Sequence, residues 1–244
     1  MSEIQFDESN INLAKCNINM LRDLGFELTE GMKILDFGCG EGELAHAYQI
    51  LKYDSYGVDF CECTFLDDEH YKKLESDPYR IPFEDNTFDL VYSKSVFEHT
   101  MNTEECFREV YRVLKPGGVT INSLPSMYRL IESHIRVPLA GVIQASWWLK
   151  LWAILGVRNR FQKGLHWKEV YKRNTDYCAN WINYHKWKDL KKMIISVFGN
   201  VKKVKKEYIA NMPGGAAKLG RKLPIPGYGE LCFIFREWEL FMKK

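Results

Sequence analysis

Apolar and polar residues follow one another along the first half of the chain in blocks that predict alternating strands and helices. Short apolar runs with the composition of buried strands occupy residues 33–37, 55–60, 87–93 and 119–125. Segments with apolar residues at helical spacing occupy residues 11–24, 42–52 and 103–114. Because strands alternate with helices, this pattern predicts a parallel sheet with helices on both faces.

The pattern changes after Pro125, where residues 126–160 contain a long apolar stretch with three tryptophans. Its length approaches that of a transmembrane helix, but Gln144 and Lys150 lie near its middle and its hydrophobicity is low for a span. We expect one or two helices that cover an active site. The alternative is that the tryptophan-rich face, residues 137–157, contacts a membrane interface.

The last third of the chain predicts one more helix and the closure of the sheet. Residues 187–198 have helical spacing and are followed by Gly199 as a stop signal. The segments VKKVKKEY (201–208) and ELCFIFRE (230–237) are predicted to pair as antiparallel strands. The glycine- and proline-rich residues 209–229 between them are predicted to form a loop.

Charge is distributed unevenly over the chain. The formal net charge is +2, from 34 Lys and Arg against 32 Asp and Glu. Residues 1–125 hold 11 of the basic and 24 of the acidic residues (−13), and residues 126–244 hold 23 and 8 (+15). A basic half raises the local concentration of anions, so it favours an anionic partner, although attraction between the two halves is the simpler alternative.

Cysteine usage and the N-terminus indicate a cytoplasmic protein. The seven cysteines form no paired metal-binding grid, and Cys61 and Cys63 are expected to be ordinary thiols rather than metal ligands. Free thiols are typical of a reducing compartment. The first residues, MSEIQFDESN, do not resemble a signal peptide.

Residues 33–44, KILDFGCGEGEL, combine a predicted strand with three glycines spaced two apart. A dinucleotide-binding fingerprint, G-x-G-x-x-G, requires a glycine where this chain has Glu43. Asp36 would repel a pyrophosphate, whereas it suits a ligand with an ammonium group, such as S-adenosylmethionine. Asp59 ends the next predicted strand, where a carboxylate can accept hydrogen bonds from two ribose hydroxyls.

Four segments in the same order resemble motifs of class I S-adenosylmethionine-dependent methyltransferases (methyltransferase type 11-like): DFGCGEG, GVDF, DPYRIPFEDNTFDLVYSKSVFEH and REVYRVLKPGG. The resemblance covers about residues 30–125. It implies a Rossmann-like, doubly wound, seven-stranded and mainly parallel α/β sheet with a final antiparallel strand. It also implies a helical acceptor-site insertion after the fifth strand. The expected organisation is a cofactor-binding core (1–125), an insertion (126–185) and a completion of the sheet (186–244).

The resemblance also implies cofactor-binding residues. The glycine loop would pass under the methionyl and ribose groups, a role that falls to Asp36, Gly38, Cys39, Gly40 and Gly42.

Further positions of the motifs are implied to contact the rest of the cofactor. Asp59 would bind the ribose hydroxyls, and Phe60 would lie beside the adenine. Asp77 would meet the adenine amino group. Pro78 follows it and has no N–H to donate to the ring. Ser93 would face the axis of methyl transfer.

Glu98 and His99 form an acid–histidine pair after the predicted strand 87–93. Related quinone methyltransferases that bind metal carry a further acid three residues before this Glu, where this chain has Ser95, so no metal is expected. His99 is expected to be a structural or substrate-facing residue, with a role as a base as the alternative.

The segment NSLPSMYRLIESHIRVPLAG follows the fifth strand, where the family builds its acceptor pocket. Its Pro-x-x-Tyr-Arg, Glu-x-His and Pro resemble methyltransferases of bacterial cell-surface polysaccharide and glycolipid synthesis. Glu132 and His134 would share one face of an extended segment and could act as a base with an orienting partner. A polar loop with a hydrogen-bonded histidine is the alternative.

The methyl acceptor is expected to be small and anionic, such as a nucleotide-linked sugar or a glycan precursor methylated on oxygen. Candidate phosphate contacts are Arg129, Arg136, Arg158, Arg160 and Lys163. Nucleic acid is not expected, since the lysines near residues 186–206 are typical of a solvated face. A lipid or quinone methyltransferase, a catalytically idle cofactor-binding subunit and an NAD-type oxidoreductase are the alternatives. The sequence leaves the oligomeric state open.

Overall fold

The computed structural model describes residues 6–76, 79–223 and 225–244. Its strands are β1 (Lys33–Phe37), β2 (Asp54–Asp59), β3 (Tyr71–Lys73), β4 (Glu75–Ser76), β5 (Tyr79–Arg80), β6 (Phe88–Lys94), β7 (Leu114–Pro125), β8 (Lys202–Lys203) and β9 (Glu237–Lys243). Its helices are α1 (Ser9–Asp23), α2 (Glu43–Ile50), α3 (Thr103–Val113), α4 (Ser146–Ile154), α5 (Trp167–Asn180), α6 (Trp187–Phe198), α7 (Lys206–Asn211), α8 (Gly215–Lys222) and α9 (Tyr228–Phe235). A 3₁₀ turn spans Phe97–His99.

Seven strands form the main sheet in the order β3-β2-β1-β6-β7-β9-β8. The pairs from β3 through β7 are parallel, while β9 runs antiparallel to both β7 and β8. The predicted mainly parallel seven-stranded fold with a final antiparallel strand is therefore confirmed. In such a sheet, ligands bind at the carboxyl ends of the parallel strands, near the point where strand order reverses at β1.

Both faces of the sheet are covered, as the alternation of apolar residues predicted. Ile34 and Leu90 point into a core that includes residues of α1 and α2. Their neighbours Leu35 and Val91 point into a second core with residues of α3 and α6. Side chains of adjacent strand residues point to opposite faces, so one apolar run supplies both cores.

The segment between β7 and α6 has a small core of its own. Ile135, Val137 and Ala140 pack there with Leu149 of α4 and Cys178 of α5. The segment is therefore a helical insertion after the fifth strand of the main sheet, with an irregular loop over residues 126–145 before its helices.

The prediction for residues 230–237 was wrong. Most of this segment is helical, in α9, and β9 begins only at Glu237. A short apolar run does not distinguish a strand from a buried helical turn. The strand lies where Trp238, Leu240 and Met242 are buried at a spacing of two.

The predicted strand over residues 201–208 was also wrong over most of its length, since β8 is only Lys202–Lys203 and α7 begins at Lys206. The predicted loop 209–229 contains the end of α7, all of α8 and the start of α9.

Candidate functional site

The glycine loop joins β1 to α2 with three residues in the left-handed region. Gly38, Gly40 and Gly42 have φ values of 81°, 54° and 84°. The N–H groups of Gly38 and Cys39 donate to the carbonyl of Val58 on β2, which holds the loop against the sheet edge. A Cβ at position 40 would meet nothing within 4 Å, so the backbone borders open space that a ligand can enter.

Two carboxyl groups flank this loop. Asp59 accepts hydrogen bonds from the N–H of Gly40 at 2.8 Å and from the N–H of Cys61 at 3.1 Å. Asp36 is buried, and burial, reinforced by the charge of Asp59 and opposed by Lys94, raises its pKa to about 7. A cationic group that binds beside such a partly neutral acid favours its ionised form and is attracted by it.

Residues after β2 fold back over the loop. Thr64 and Phe65 donate their N–H groups to the carbonyl of Glu41, and the thiol of Cys63 donates to the same oxygen at 3.2 Å. The Cys63 sulfur would lie 2.6 Å from a Cβ at Gly42, so only glycine fits there. Cys61 is an exposed free thiol, and no described group of metal-ligating residues includes either cysteine.

The other predicted cofactor residues differ in their surroundings. Phe60 is exposed beside the loop, as a residue that stacks on a ligand requires. Burial raises the pKa of the Cys39 thiol above its ordinary value, so it is no nucleophile at neutral pH. Ser93 is fully buried and donates to Asn122 on β7 at 2.8 Å. Asp77 and Pro78 lie outside the described residues, and the roles of all these positions stay predictions.

An aromatic cluster beside the loop was not anticipated from the sequence. The rings of Phe6 and His46 have centroids 5.1 Å apart, and Phe65 lies 5.7 Å from Phe6. The three residues come from the N-terminal segment, α2 and the loop after β2. No local pattern identifies such a contact, because it depends on how these elements pack.

The 3₁₀ turn after β6 lies directly against the glycine loop. A Cβ at Gly38 would be 2.2 Å from a methyl group of Val96, so the valine fills the space that the glycine leaves. Glu98 follows two residues later and is buried, with no hydrogen bond to either carboxylate oxygen from any described residue. Burial raises its pKa to about 7, against the opposing effect of the His134 charge.

The structure brings all three predicted catalytic residues into one cluster with Glu98. His134 donates from Nδ1 to Oε1 of Glu132 at 2.7 Å, and the rings of His134 and His99 have centroids 4.8 Å apart. Glu132 also accepts from the hydroxyl of Tyr184 and from the N–H groups of His134 and Ile135. Burial opposes ionisation of Glu132, but these bonds hold its pKa below the ordinary value.

The pKa values of the two histidines are shifted in opposite directions. Burial lowers the pKa of His99 despite the bond from its Nδ1 to the carbonyl of Trp181 at 2.7 Å. Burial also acts on His134, but the hydrogen bond and charge of Glu132 outweigh it and raise the pKa of that imidazole. In both rings Nδ1 has an acceptor, so in the neutral form the lone pair lies on Nε2.

A cavity of about 640 Å³ opens beside His134, and its lining is basic. Arg136, Arg158 and Arg160, three of the five predicted phosphate contacts, lie on it, together with Arg173 of α5, which sequence reasoning missed. No acid is among the described residues of the lining.

The predicted cations have different partners. Arg158 donates to the backbone carbonyls of Ala153 and Val157 and so supports the loop. Arg136 and Arg160 form no ion pair with any residue in the described ranges. Arg129 lies 3.8 Å from Glu237, and neither it nor Lys163 lines the cavity. Arg173 pairs with Glu169 at 2.8 Å, so the positive charge that the lining offers to a ligand comes chiefly from Arg136 and Arg160.

A second cavity, of about 290 Å³, lies between α1, α7 and the ends of β6 and β9. Its charged lining residues are Lys94, Glu237 and Glu239, so both signs are present. It lacks the single-sign lining of the arginine cavity.

Helix α4 presents apolar residues to solvent. Trp147, Leu151, Ile154 and Leu155 are 64%, 40%, 53% and 62% exposed, while Leu149 on the opposite side is buried. Within the described ranges, no helix is long and apolar enough to cross a bilayer.

Comparison with known proteins finds matches to part of the chain. Residues 35–122 match the family described as a methyltransferase domain. Sterol 24-C-methyltransferase ERG6B of Gibberella zeae is 36% identical over 103 residues, which is 36% of this chain and 26% of that protein. The chain thus spans about a quarter of the length of this curated relative.

Solved structures share the fold over nearly the whole chain. An S-adenosylmethionine-dependent methyltransferase from Mesorhizobium loti superposes with a TM-score of 0.55 at 16% identity, covering 94% of this chain and 98% of that one. Phosphoethanolamine N-methyltransferase 2 of Haemonchus contortus, solved with phosphomonomethylethanolamine and S-adenosylhomocysteine, gives 0.51 at 17%, covering 96% and 52%. These structures show the fold, and the family match supports the predicted methyltransferase domain over residues 35–122.

Proposed function

We propose that this chain transfers a methyl group from S-adenosylmethionine to an anionic acceptor that binds in the arginine-lined cavity. One observation carries the proposal: His134 belongs both to that cavity and to the cluster that adjoins the glycine loop through Val96. Donor and acceptor would therefore meet near the cluster.

The residues around the glycine loop suit the donor. Asp36 would neutralise its ammonium group, Asp59 would accept from its ribose, and the open space above Gly40 would admit its chain. When bound, the donor supplies an electrophilic methyl group and leaves as S-adenosylhomocysteine. The protein's part is chiefly to hold the two reactants in line, since orientation alone accounts for a large share of the rate of such displacements.

The arginines suit a phosphate or carboxylate on the acceptor. Arg136 and Arg160 lack described ion pairs, and a guanidinium binds such groups through two parallel hydrogen bonds. The acceptor's nucleophilic atom would then face the Nε2 atoms of His99 and His134. A hydroxyl at that place could release its proton to this cluster, with Glu132 as the residue that orients His134.

A lipid-linked acceptor is favoured over a free sugar by two observations. The exposed apolar face of α4 adjoins the loop that carries Arg158 and Arg160, and the curated relative is named for methylation of a sterol. An anionic amphiphile would place its charged group in the cavity and its apolar part along α4. The relative matches only the cofactor-binding half, so its own acceptor is not carried over.

The proposal is tested with labelled S-adenosylmethionine and acceptors drawn from lipid and water-soluble extracts of cells, with the product identified by mass. We expect label in an anionic, lipid-extractable product. The double variant Arg136→Ala, Arg160→Ala should raise KM for the acceptor at least tenfold and leave the Kd of the cofactor unchanged. Lys163→Ala is the matched control because it removes a cation that the cavity does not contain.

The outcomes separate the alternatives. Asp59→Ala should abolish cofactor binding in calorimetry. If the wild-type chain binds neither S-adenosylmethionine nor S-adenosylhomocysteine, the enzyme proposal is wrong. If it binds both but methylates nothing in any extract, a cofactor-binding subunit is the better description. Equal KM values for the arginine variant and for Lys163→Ala would exclude this cavity as the acceptor site.

A further inference from the structure

Three side chains beside the 3₁₀ turn form a group that methyl transfer alone does not explain. One ligand atom from each of Glu98, His99 and His134 lies within 4.8 Å of the other two. Glu98 is 2% exposed, and neither of its oxygens accepts a hydrogen bond from a described residue. A buried carboxylate is normally paired, hydrogen-bonded or bound to a metal.

The histidines are already oriented as metal ligands are. His99 donates from Nδ1 to the carbonyl of Trp181, and His134 donates from Nδ1 to the carboxylate of Glu132, both at 2.7 Å. Metal-ligating histidines usually donate their second nitrogen to a carbonyl or carboxylate, which fixes the tautomer and directs the lone pair to the metal. Nε2 of His99 lies 3.9 Å from Oε1 of Glu98.

We propose that Glu98, His99 and His134 bind one divalent first-row transition ion, with Zn²⁺ as the closest match to the donor set. Two imidazole nitrogens and one carboxylate oxygen form a known set for such ions, whereas Mg²⁺ and Ca²⁺ prefer oxygen ligands only. The sequence expectation of no metal rested on Ser95 and is reversed here. The third ligand comes instead from His134, which is distant in sequence and lies in the insertion.

The three ligand atoms lie farther apart than they would around a bound ion. Ligands about 2.0 Å from a tetrahedral ion are roughly 3.3 Å apart, so the three atoms would close in by about an ångström on binding. Small shifts of the three side chains would supply this. Three protein ligands leave a fourth position open, which is typical of catalytic rather than structural sites.

That open position borders the arginine cavity, since His134 lines it. With the ion bound, the Nε2 lone pairs of both histidines are occupied and cannot accept the acceptor's proton, so a hydroxyl that coordinates the ion would release its proton to water instead, at a lower pH than a free hydroxyl. This role rests on the proposed methyl transfer, whereas binding of the ion does not.

The test is a titration of the full chain with Co²⁺ alone after treatment with a chelator. Co²⁺ replaces Zn²⁺ at such sites and gives visible absorption, and a thiolate ligand would add an intense charge-transfer band. We expect one Co²⁺ per chain, no thiolate band, and an increase in melting temperature on binding. Binding with a thiolate band would assign the ion to the cysteines and overturn the proposal.

Variants locate the site. His99→Ala, His134→Ala and Glu98→Gln should each weaken Co²⁺ binding more than tenfold and remove the rise in melting temperature. Glu132→Gln, which changes only a positioning residue, should weaken binding about 10- to 100-fold. Circular dichroism checks that each variant is folded. If one ligand variant does not fold, the other two still test the site.

A histidine outside the cluster provides the control. His70 makes the same kind of bond, from Nδ1 to Asp67 at 2.7 Å, so His70→Ala should bind Co²⁺ like the wild type. Unchanged affinity in the ligand variants, or no binding to the wild type at micromolar Co²⁺, would overturn the proposal. Either result would leave the methyltransferase assay unaffected, so the two proposals fail separately.

Discussion

Asp36 is a carboxyl group held at the end of β1 with its pKa raised to about 7, chiefly by burial and then by Asp59. A cationic methyl donor binds the ionised form better, so binding must first release the proton that Asp36 retains below this pH. We expect the affinity for S-adenosylmethionine to rise by up to about tenfold per pH unit below pH 7 and to level off above it. Calorimetry across this range measures the slope.

The variant Asp36→Asn separates this residue from other titrating groups. It should bind the donor more weakly at pH 8 and lose the part of the pH dependence that Asp36 contributes. The amino group of the ligand titrates equally with both proteins and cancels in the comparison. A slope that is the same in the variant would mean that another acid binds the ammonium group.

Gly40 has a φ of 54° and open space where a Cβ would lie. Gly40→Ala adds a methyl group to the ligand's side of the loop at a backbone cost of roughly 1–2 kcal/mol. We expect this variant to remain folded and to lose at least tenfold in cofactor affinity. Equilibrium denaturation and calorimetry give the two quantities.

Gly199→Ala is the matched control, since Gly199 also has a positive φ, of 71°, and a Cβ there would meet no atom of the described residues within 4 Å. It lies at the end of α6, away from the loop, so it should lose the same stability without any loss of cofactor affinity. A similar loss of affinity in both variants would attribute the effect to backbone strain rather than to the ligand's space.

Helix α4 carries an exposed apolar face that suits the surface of a membrane. Burying Trp147 and Leu155 in the interface of a bilayer would contribute about 1.5–3 kcal/mol for each side chain. We expect the chain to float with anionic vesicles, and Trp147→Ser with Leu155→Ser to reduce that binding at least tenfold. Ile195→Ser on α6 changes an equally apolar residue that is 40% exposed, and it should have no effect. If the wild-type chain does not float with the vesicles, the proposal of a lipid-linked acceptor is weakened.

At the scale of elements, prediction succeeded where local pattern decides the structure. β1 and α6 have the predicted bounds because a short apolar run and a helical repeat define them unambiguously. Residues 230–237 were mistaken for a strand because ELCFIF is apolar at both helical and strand spacing. The pairing of β9 with β7, which involves residues far away in sequence, decides between the two.

At the scale of the whole molecule, the places of the glycine loop and Asp59 could be predicted from the sequence, and the lining of the basic cavity only in part. The glycine loop and Asp59 belong to one strand–loop–helix–strand unit, so short motifs identify them. Arg173 and Tyr177 reach the cavity from α5, and their place depends on how the insertion packs over residues 133–136. The basic charge of residues 126–244 indicated an anionic partner, but which arginines line the cavity depends on the three-dimensional fold.

The side chain of Val96 occupies the space left by the missing side chain of Gly38, and Glu98 and His99 follow directly. A ligand that orders the glycine loop would therefore also order the 3₁₀ turn, which carries Glu98 and His99 beside the proposed acceptor site. We expect compulsory order in the kinetics, with the methyl donor adding first and its spent form leaving last. Product inhibition measures this: S-adenosylhomocysteine should compete with S-adenosylmethionine and be noncompetitive with the acceptor, and random addition would show the two half-sites to be independent.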